Sequence, residues 1–397
     1  MTEQPTSVEE TTPQPSSASE RTAVPGAETA TWREILQQPA VWREVAGMLA
    51  DRADEVRTFL DPLLTRGDLR IVLTGAGTSA FAGQVLAPAL TRSLRRRVEA
   101  VATTDIVSNP REFFAEDVPT LLVSFARSGD SPESVTATEL ADECLSSVHH
   151  VVVTCNADGR LARDHAGSPA SLVLLMPAAS NDRGFAMTSS FTSMLLATWL
   201  VLSASADPRG IAEQLAVAAE DVLRRSDVVA ELADRGYRRV VYLGSGSLAG
   251  LAQESALKLL ELTAGGVVAY HDSALGFRHG PKAVLDDRTL VVVYLSNDPY
   301  TRRYDLDIAT ELRQAIGGEN VLVLTAGDDA RTADSLTWQV PGLDTVNDAE
   351  LALPLVVVAQ LLALKFSLAL GRTPDNPFPD GQVNRVVQGV TVYPLTP

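Results

Sequence analysis

The feature that most constrains this chain is an internal repeat of short apolar runs alternating with helix-length segments. The first half has such runs at 71–73, 121–124, 151–154 and 172–176. The same order returns at 240–243, 290–295 and 321–325, followed by a long apolar helix after residue 348. Gly75 and Gly244 open equivalent turns 169 residues apart. Alternating strands and helices predict an α/β fold, with one doubly wound parallel sheet flanked by helices in each half.

The length of 397 residues and the hydrophobic content of 45% allow two compact domains, because single cores rarely grow beyond roughly 250–300 residues. Residues 1–30 are rich in Pro, Ser, Thr and Glu and predict a disordered tail. We expect the first domain, with its leading helices, at 31–210 and the second domain, with a C-terminal tail, at 211–397. A polar break at 206–211 marks the join.

Composition also excludes several kinds of partner. The net charge of −17 would repel nucleic acid, which is bound through clustered Lys and Arg. Cys144 and Cys155 are too few for a disulfide framework, and no secretory signal is apparent at the N-terminus, so we expect a cytoplasmic protein. The apolar window 351–370 is long enough to cross a membrane, but a proline, a glutamine and a lysine interrupt it. It therefore predicts a buried core helix and no membrane contact.

The first candidate site is the glycine-rich turn at 74–79, between a strand and a helix. Glycines permit a tight turn, and the helix N-terminus presents free amides to an anion such as phosphate. Gly75, Gly77 and Ala80 also match the dinucleotide fingerprint, with Glu99 at a suitable distance to hold a ribose. This turn alone is compatible with both interpretations.

A second loop, at 125–133, favours phosphate. Ser128 and Ser131 offer hydroxyls, and Gly129 permits close approach to the backbone. Ser131 before Pro132 is also a good helix N-cap, which is the structural alternative. The corresponding loop of the second half, 296–301, lacks the Ser-Gly pair. We therefore expect the two halves to have different functions, with phosphate bound by the first half.

The helix after Gly246 carries Glu254, Lys258 and Glu261 at steps of four and three residues, which places them on one face. The alternative is an exposed ion pair between Glu254 and Lys258. Aliphatic residues surround all three in the sequence, so we expect an enclosed face that can carry acid–base chemistry.

His279 follows about one helix length later, beside a Gly-Pro stop. An imidazole titrates near neutral pH and can exchange a proton in a cleft. The other histidines have no comparable setting, and we expect structural roles for them. The chain shows no cluster of metal-ligand residues, so we expect neither a metal nor a redox cofactor.

Several long motifs resemble one known family, the two-domain sugar isomerase (SIS) proteins, whose domains have a flavodoxin-like sheet. The motifs are SFARSGDSPES, SNDRGFAMTSSFTSM, RHGPKAVLDD and PDNPFPDGQVNRVVQG. They are most similar to the branch of tagatose-6-phosphate ketose/aldose isomerase, or galactosamine-6-phosphate deaminase. The isomerase half of glutamine:fructose-6-phosphate amidotransferase is a more distant resemblance.

The resemblance implies a role for individual residues. Glu261 would be the enolising carboxylate, His279 the ring-opening imidazole, and Lys258 and Glu254 supporting groups. In the amidotransferase the imidazole comes from the neighbouring subunit, which implies a homodimer or higher homo-oligomer with shared sites. The implied phosphate contacts are Thr78, Ser79, Arg127, Ser128 and Ser131.

Two departures from the amidotransferase stand out. This chain has no glutaminase domain, and Gln388 falls where that family has a C-terminal lysine, which argues against ring opening through a Schiff base. The tail at 375–388 could still fold over the site, with Asn384 and Arg385 as candidate substrate contacts.

The sequence therefore predicts an enzyme that converts a hexosamine 6-phosphate, such as galactosamine 6-phosphate, into a ketose 6-phosphate such as tagatose 6-phosphate. Ammonia would be released after a proton transfer between C2 and C1. Three alternatives remain at this point: a plain aldose–ketose isomerase, a non-catalytic SIS regulator that binds sugar phosphate, and a nicotinamide dehydrogenase.

Overall fold

The computed structural model describes residues 26, 28–203, 207–332, 336–387 and 389–396. Three helices lead into the first half: α1 (Ala30–Leu36), α2 (Gln38–Asp51) and α3 (Ala53–Leu64). The remaining elements of that half are β1 (Arg70–Gly75), α4 (Thr78–Leu94), β2 (Val98–Ala102), α5 (Thr103–Ser108), α6 (Pro110–Phe113), β3 (Thr120–Ala126), α7 (Pro132–Cys144), β4 (Val148–Thr154), α8 (Arg160–His165), β5 (Ser171–Leu175) and α9 (Ser189–Leu202).

The second half repeats this order with fewer helices. Its elements are α10 (Pro208–Arg224), α11 (Asp227–Ala233), β6 (Arg239–Leu243), α12 (Ser247–Leu262), β7 (Val268–Asp272), β8 (Thr289–Tyr294), α13 (Thr301–Ile316), β9 (Val321–Thr325), β10 (Leu336–Gln339) and α14 (Asp348–Ala369).

Both sheets are parallel and have the same strand order. The first is β2-β1-β3-β4-β5, and the second is β7-β6-β8-β9-β10. This order is that of the flavodoxin-like doubly wound fold, so the predicted fold class is confirmed. The sequence analysis missed β2, β7 and β10. Each lies at a sheet edge and is only partly buried, which weakens its apolar signal.

The turn from β1 to α4 and the turn from β6 to α12 have nearly the same backbone. Gly77 has a φ of 55° and Gly246 a φ of 57°, values that favour glycine. A side chain at Gly75 would come within 2.8 Å of the main chain of Ser79. Glycine is therefore required for the close approach of strand and helix here.

The two halves share one continuous apolar core, in which α12 packs against both α4 and α14. Gly250 on α12 allows this packing, because a Cβ there would lie 2.6 Å from the backbone nitrogen of Val85 on α4. Helix α14 is long and apolar enough to cross a membrane, but 94% of its most apolar window is buried inside the fold. The prediction of a core helix at 351–370 is confirmed.

The ends and the join of the chain bear on the predicted boundaries, which stay predictions. Residues 1–25 and 27 of the predicted N-terminal tail lie outside the described part of the structure, whereas α1 already begins at Ala30. At the join, α9 ends at Leu202, and Asp207 accepts a hydrogen bond from the amide of Gly210 at the start of α10.

Candidate active site

Helix α12 carries a buried acid–base cluster formed by Glu254, Lys258 and Glu261. Glu254 and Lys258 are buried, and the Glu261 side chain is 22% exposed. The Lys258 ammonium donates a hydrogen bond to Glu261 and lies 3.7 Å from Glu254 Oε1. The alternative of an exposed surface pair is therefore wrong, and the expected enclosed face is confirmed.

Burial and mutual charge shift the pKa values of this cluster. Burial raises the pKa of Glu254 to about 8, although the charge of Lys258 opposes the shift. Burial tends to lower the pKa of Lys258, but the nearby Glu254 and Glu261 carboxylates outweigh it and raise that pKa. The pKa of about 8 favours the protonated form of Glu254 at neutral pH, beside the hydrogen-bonded pair of Lys258 and Glu261.

The first turn of α4 faces this cluster from the first half. The Thr78 hydroxyl is close enough to lower the pKa of Glu254. Apart from this mutual approach and the Lys258 ammonium at 3.7 Å, Thr78 Oγ1 and the Glu254 carboxylate oxygens have no hydrogen-bond partner among the described residues. Ser79, the next residue, is also buried, with its Oγ 3.9 Å from Met187 Sδ. Buried polar atoms without partners mark a place where a polar ligand can bind.

Arg127, which follows β3, brings a buried positive charge to the same place. Its guanidinium donates hydrogen bonds to the carbonyl oxygens of Phe185, at 3.2 Å, and Arg385, at 3.1 Å. Burial and the charge of Arg385 lower the pKa of Arg127, and the carboxylates of Asp182 and Glu261 oppose this shift. The structure thus brings the loop after β3 within electrostatic reach of Glu261.

The serines of this loop keep donors available for a ligand. Ser128 Oγ accepts a bond from the amide of Asp130 at 3.3 Å, which leaves its own hydroxyl hydrogen free. Ser131 occupies the N-cap position of α7, but its side chain makes no capping hydrogen bond. Capping therefore does not account for the Ser131 hydroxyl.

No hydrogen bond or ion pair joins His279 to the cluster among the described residues. His279 is exposed at the end of a short 3₁₀ turn, and its imidazole has no hydrogen bond or ion pair within the described part of the chain. His150 and His165 have protein partners instead, Asp142 and Ser171, respectively. Within one chain the structure brings together the α4, β3 and α12 residues, but it does not add His279 to them.

The C-terminal tail crosses the first half beside Arg127. The Phe378 ring packs against Phe185 with centroids 5.2 Å apart, and the Arg385 carbonyl contacts Arg127. Asn384 is exposed. Gln388, which marks the departure from the amidotransferase pattern, lies outside the described residues.

Sequence reasoning missed the residues that hold the loop before α9. The buried carboxylate of Asp182 accepts hydrogen bonds from the amides of Thr188, Ser189 and Ser190. Glu34 of α1 accepts from the amides of Arg183 and Gly184. An Asp shortly before a Thr-Ser-Ser helix start was the available signal for the first contact. No local pattern indicates the second.

Glu99, the acidic residue that the dinucleotide alternative requires, is already paired within the protein. Glu99 forms an ion pair with Arg70 at 2.6 Å and with Arg97 at 2.8 Å, and Arg70 begins β1 at the opposite end from the glycine turn. Among the described residues, no three His, Cys, Asp or Glu side chains form a group that could hold a metal ion.

Two tandem doubly wound domains on one shared core, with the acid–base cluster of α12 near the loop after β3, define the class of this protein. The SIS domain family matches residues 63–204 and 232–369, and the chain belongs to that family. The chain is 63% identical over 340 residues to the AgaS protein of Streptomyces coelicolor, covering 85% of this chain and 88% of the relative. It is 45% identical over 348 residues to D-galactosamine-6-phosphate deaminase AgaS of Escherichia coli, covering 85% and 89%.

A solved structure agrees with these relatives. The crystal structure of tagatose-6-phosphate ketose/aldose isomerase from Escherichia coli superposes with a TM-score of 0.87 at 40% identity. The match covers 94% of this chain and 98% of that one. The resemblance found in the sequence is confirmed, and these relatives are named as enzymes of sugar-phosphate metabolism.

Proposed function

We propose that this chain is a deaminase of a hexosamine 6-phosphate, with D-galactosamine 6-phosphate as substrate and tagatose 6-phosphate and ammonia as products. The observation that carries the proposal is the buried Glu254, Lys258 and Glu261 cluster opposite Arg127. A proton-transfer group and a cationic anchor in one cleft suit a substrate with a phosphate at one end and an acidic C–H bond at the other.

In this mechanism, the first half binds the phosphate through the amides and hydroxyls of the α4 turn and the loop after β3. The residues assigned to phosphate are Thr78, Ser79, Arg127, Ser128 and Ser131. A helix N-terminus and neighbouring hydroxyls favour a phosphate monoester. Asn384 and Arg385 of the tail would lie over the bound sugar.

The chemical step is a proton transfer followed by hydrolysis. Once the ring is open, Glu261 removes the proton from C2 while the aldehyde oxygen O1 takes up a proton, which gives an enolamine. Glu261 then returns its proton to C1 while the amine nitrogen releases one proton, which leaves an imine at C2. Water adds to this imine, and ammonia leaves, giving the ketose. Lys258 orients the Glu261 side chain through their hydrogen bond, and Glu254 donates or accepts a proton within the buried cluster.

We propose that His279 opens the ring from a neighbouring copy of the chain. Its exposure and lack of side-chain partners support a role across an interface, and a homodimer with shared sites would supply it. Mixing Glu261→Gln and His279→Ala chains should restore part of the activity, since some mixed dimers then hold one intact site. Absence of complementation in a confirmed heterodimer would argue against sharing.

We also propose a cytoplasmic location, where phosphorylated sugars are available to a metabolic enzyme. Cys144 and Cys155 support a reducing compartment, because both are free thiols. Fractionation of native cells would test this, and recovery of the protein outside the cytoplasm would contradict it.

The decisive experiment for the reaction is ammonia release from D-galactosamine 6-phosphate, with the ketose product identified. D-glucosamine 6-phosphate is the matched substrate that differs at one hydroxyl, and it should react more slowly. Tagatose 6-phosphate tests the second candidate, a plain ketose–aldose isomerase, which the named structural neighbour supports. Conversion of tagatose 6-phosphate without any ammonia release from amino sugars would favour that candidate.

A sugar-phosphate sensor is the remaining alternative. The complete acid–base cluster on α12 favours catalysis, because a sensor needs a phosphate site but no buried proton donor. Tight binding of hexosamine phosphates without turnover of any of them would favour the sensor.

A further inference from the structure

Arg127 and three segments outside the two sheets form a closed ring of contacts. The three segments are α1, the loop before α9 and the C-terminal tail. Arg127 joins the loop to the tail through the Phe185 and Arg385 carbonyls. Helix α1 joins them again on the far side, because the Asp375 carboxylate of the tail accepts hydrogen bonds from the amides of Ala30 and Thr31, both at 2.8 Å.

Glu34 is the residue of α1 that holds the loop. Its side chain is buried, and both carboxylate oxygens accept a hydrogen bond from the amide of Gly184 at 3.2 Å. One of them also accepts from the amide of Arg183. No Lys or Arg among the described residues forms an ion pair with Glu34, so main-chain dipoles alone stabilise its charge. Burial and the charge of Asp182 accordingly raise the pKa of Glu34.

Gly184 is suited to this contact in a way that another residue would not be. A Cβ at Gly184 would lie 2.8 Å from Thr31 Oγ1 and 2.9 Å from Glu34 Oε2. The loop therefore approaches α1 more closely than any side chain at 184 allows. The next residue is Phe185, whose carbonyl oxygen fixes the Arg127 guanidinium.

We infer that Glu34 is a positioning residue of the active site, which fixes Arg127 through the Arg183–Phe185 loop. It belongs to a helix that precedes the family match beginning at residue 63. A guanidinium has five N–H donors, and Arg127 uses two of its nitrogens on the two carbonyls. Its remaining donors are held in one orientation for an anion. This fixed orientation reduces the conformational entropy that is lost when the anion binds.

The inference rests on the proposed role of Arg127 in binding the phosphate of the substrate. Glu34→Gln leaves one carbonyl acceptor and places an amide donor against the Gly184 N–H, which loosens the loop. We expect about a tenfold rise in KM for D-galactosamine 6-phosphate and in Kd for inorganic phosphate, the size expected when one charge-assisted hydrogen bond is weakened. The kcat should change much less, since Glu34 touches no reacting atom.

Gly184→Ala provides an independent arm, because it separates the loop from α1 without changing any charge. It should reproduce the rise in KM and in phosphate Kd. Glu44→Gln is the matched control, since Glu44 is an exposed carboxylate on the adjacent α2. Hydrogen exchange of the amides at 183–185 should accelerate in both test variants and stay unchanged in the control.

Two results would overturn the inference. One is faster exchange at 183–185 with unchanged KM and phosphate Kd, which would make Glu34 a purely structural residue. The other is unchanged exchange in Glu34→Gln and in Gly184→Ala. If the wild-type chain binds phosphate but releases no ammonia from D-galactosamine 6-phosphate, the proposed reaction fails, while phosphate affinity and exchange still decide the role of Glu34.

Discussion

The two halves of the chain share one backbone plan but differ where the first half is proposed to bind phosphate. Their glycine turns match closely, and the strand registers pair Thr74 with Ser124 and Leu243 with Val293. By this register, residues 127–129 of the first half correspond to residues 296–298 of the second. Arg-Ser-Gly in the first half thus corresponds in position to Ser-Asn-Asp in the second.

We call the loop after β3 and the corresponding loop after β8 the cradles of the two halves. In the second cradle, carboxylates of the protein itself accept hydrogen bonds from the main-chain amides. Asp298 accepts hydrogen bonds from the amides of Tyr300, at 3.0 Å, and Thr301, at 3.2 Å. Asp348 accepts from the amide of Asn297 at 2.8 Å. A cavity of about 560 Å³ remains beside them, and its acidic lining residues are Asp298, Asp344 and Asp348. Arg92 also lines this cavity and forms an ion pair with Asp298 at 3.2 Å, so the carboxylates outnumber the single cation and disfavour an anion there.

The helices that face these cradles show the converse change. At the repeat offset of 169 residues, Glu254, Lys258 and Glu261 of α12 correspond to Val85, Ala89 and Arg92 of α4. The loop with Arg127 therefore lies near the acid–base residues of α12. The corresponding loop at 296–298 lies beside α4, which carries no such residues at the matching positions. The comparison teaches that the two halves share a scaffold but differ in the residues of both the loop and the facing helix.

The largest expected effect is on turnover, and it tests whether the two helices differ in function. Glu261→Gln keeps the shape of the side chain but removes the base, so we expect kcat to fall about 10²- to 10⁴-fold. Substrate binding should persist. Arg92→Gln, at the corresponding position of α4, is the matched control and should leave kcat and KM unchanged in the same ammonia assay. Near-normal turnover by Glu261→Gln would refute the assignment.

The second effect is on the pH dependence of stability, and it concerns Glu254, whose counterpart is Val85. The folded-state pKa of about 8 lies above the usual 4.5. Below pH 4.5 the carboxyl is protonated in both states. Between 4.5 and about 8 the unfolded chain releases the proton while the folded chain retains it, so stability falls as pH rises. Above about 8 this loss levels off.

Glu254→Gln should remove this contribution. Across the window from pH 4.5 to 8, the free energy of unfolding of the wild type relative to the variant should fall by on the order of a few kcal/mol. Denaturant titrations at several pH values would measure it, with the exposed Glu44→Gln as the control. Parallel pH profiles for wild type and Glu254→Gln would show that burial does not perturb Glu254.

The sequence was sufficient for the fold because the repeat is long and its central strands are uniformly apolar. Strands β1, β3 and β4 are buried on both faces and give continuous apolar runs, whereas the edge strand β2, with Glu99 in its middle, does not. The spacing of Glu254, Lys258 and Glu261 also predicted a shared helix face, because three- and four-residue steps fix that geometry.

The remainder of the candidate site depends on contacts between distant segments, for which sequence patterns carry no signal. Glu34 and Gly184 are 150 residues apart, yet they share a hydrogen bond. Arg127 and Arg385 are 258 apart, and only the folded path of the tail brings them together. His279 is a different case, since its pattern suggested an imidazole in a cleft and the resemblance implied a shared site with a neighbouring subunit, which a single chain does not test. In this chain His279 is exposed.

A smaller effect is expected on substrate affinity, and it compares the two loops directly. Ser128→Ala removes one hydroxyl donor to a charged phosphate, which should raise KM about tenfold or somewhat more. The corresponding change in the second half, Asn297→Ala, should leave KM unchanged. It should lower the melting temperature instead, because the Asn297 amide donates to the carbonyls of Leu343 and Val346. Equal KM changes in both variants would contradict the proposed division between the halves.

The smallest effect concerns Asp298, the carboxylate that occupies the second cradle. Hydrogen bonds from the Thr301 and Tyr300 amides are among the causes that lower its pKa, so its stabilising contribution is present at neutral pH and is lost as acid protonates it. Asp298→Ala should cost about 1 kcal/mol of unfolding free energy, as expected for loss of a helix cap. Asp298→Asn should cost less, because its amide oxygen can still accept. Calorimetry should find one phosphate bound per chain in the wild type and in both variants, since Asp344 and Asp348 keep the second cradle acidic. Binding of two phosphates by the wild type would mean that the second half has retained the function we assign to the first alone.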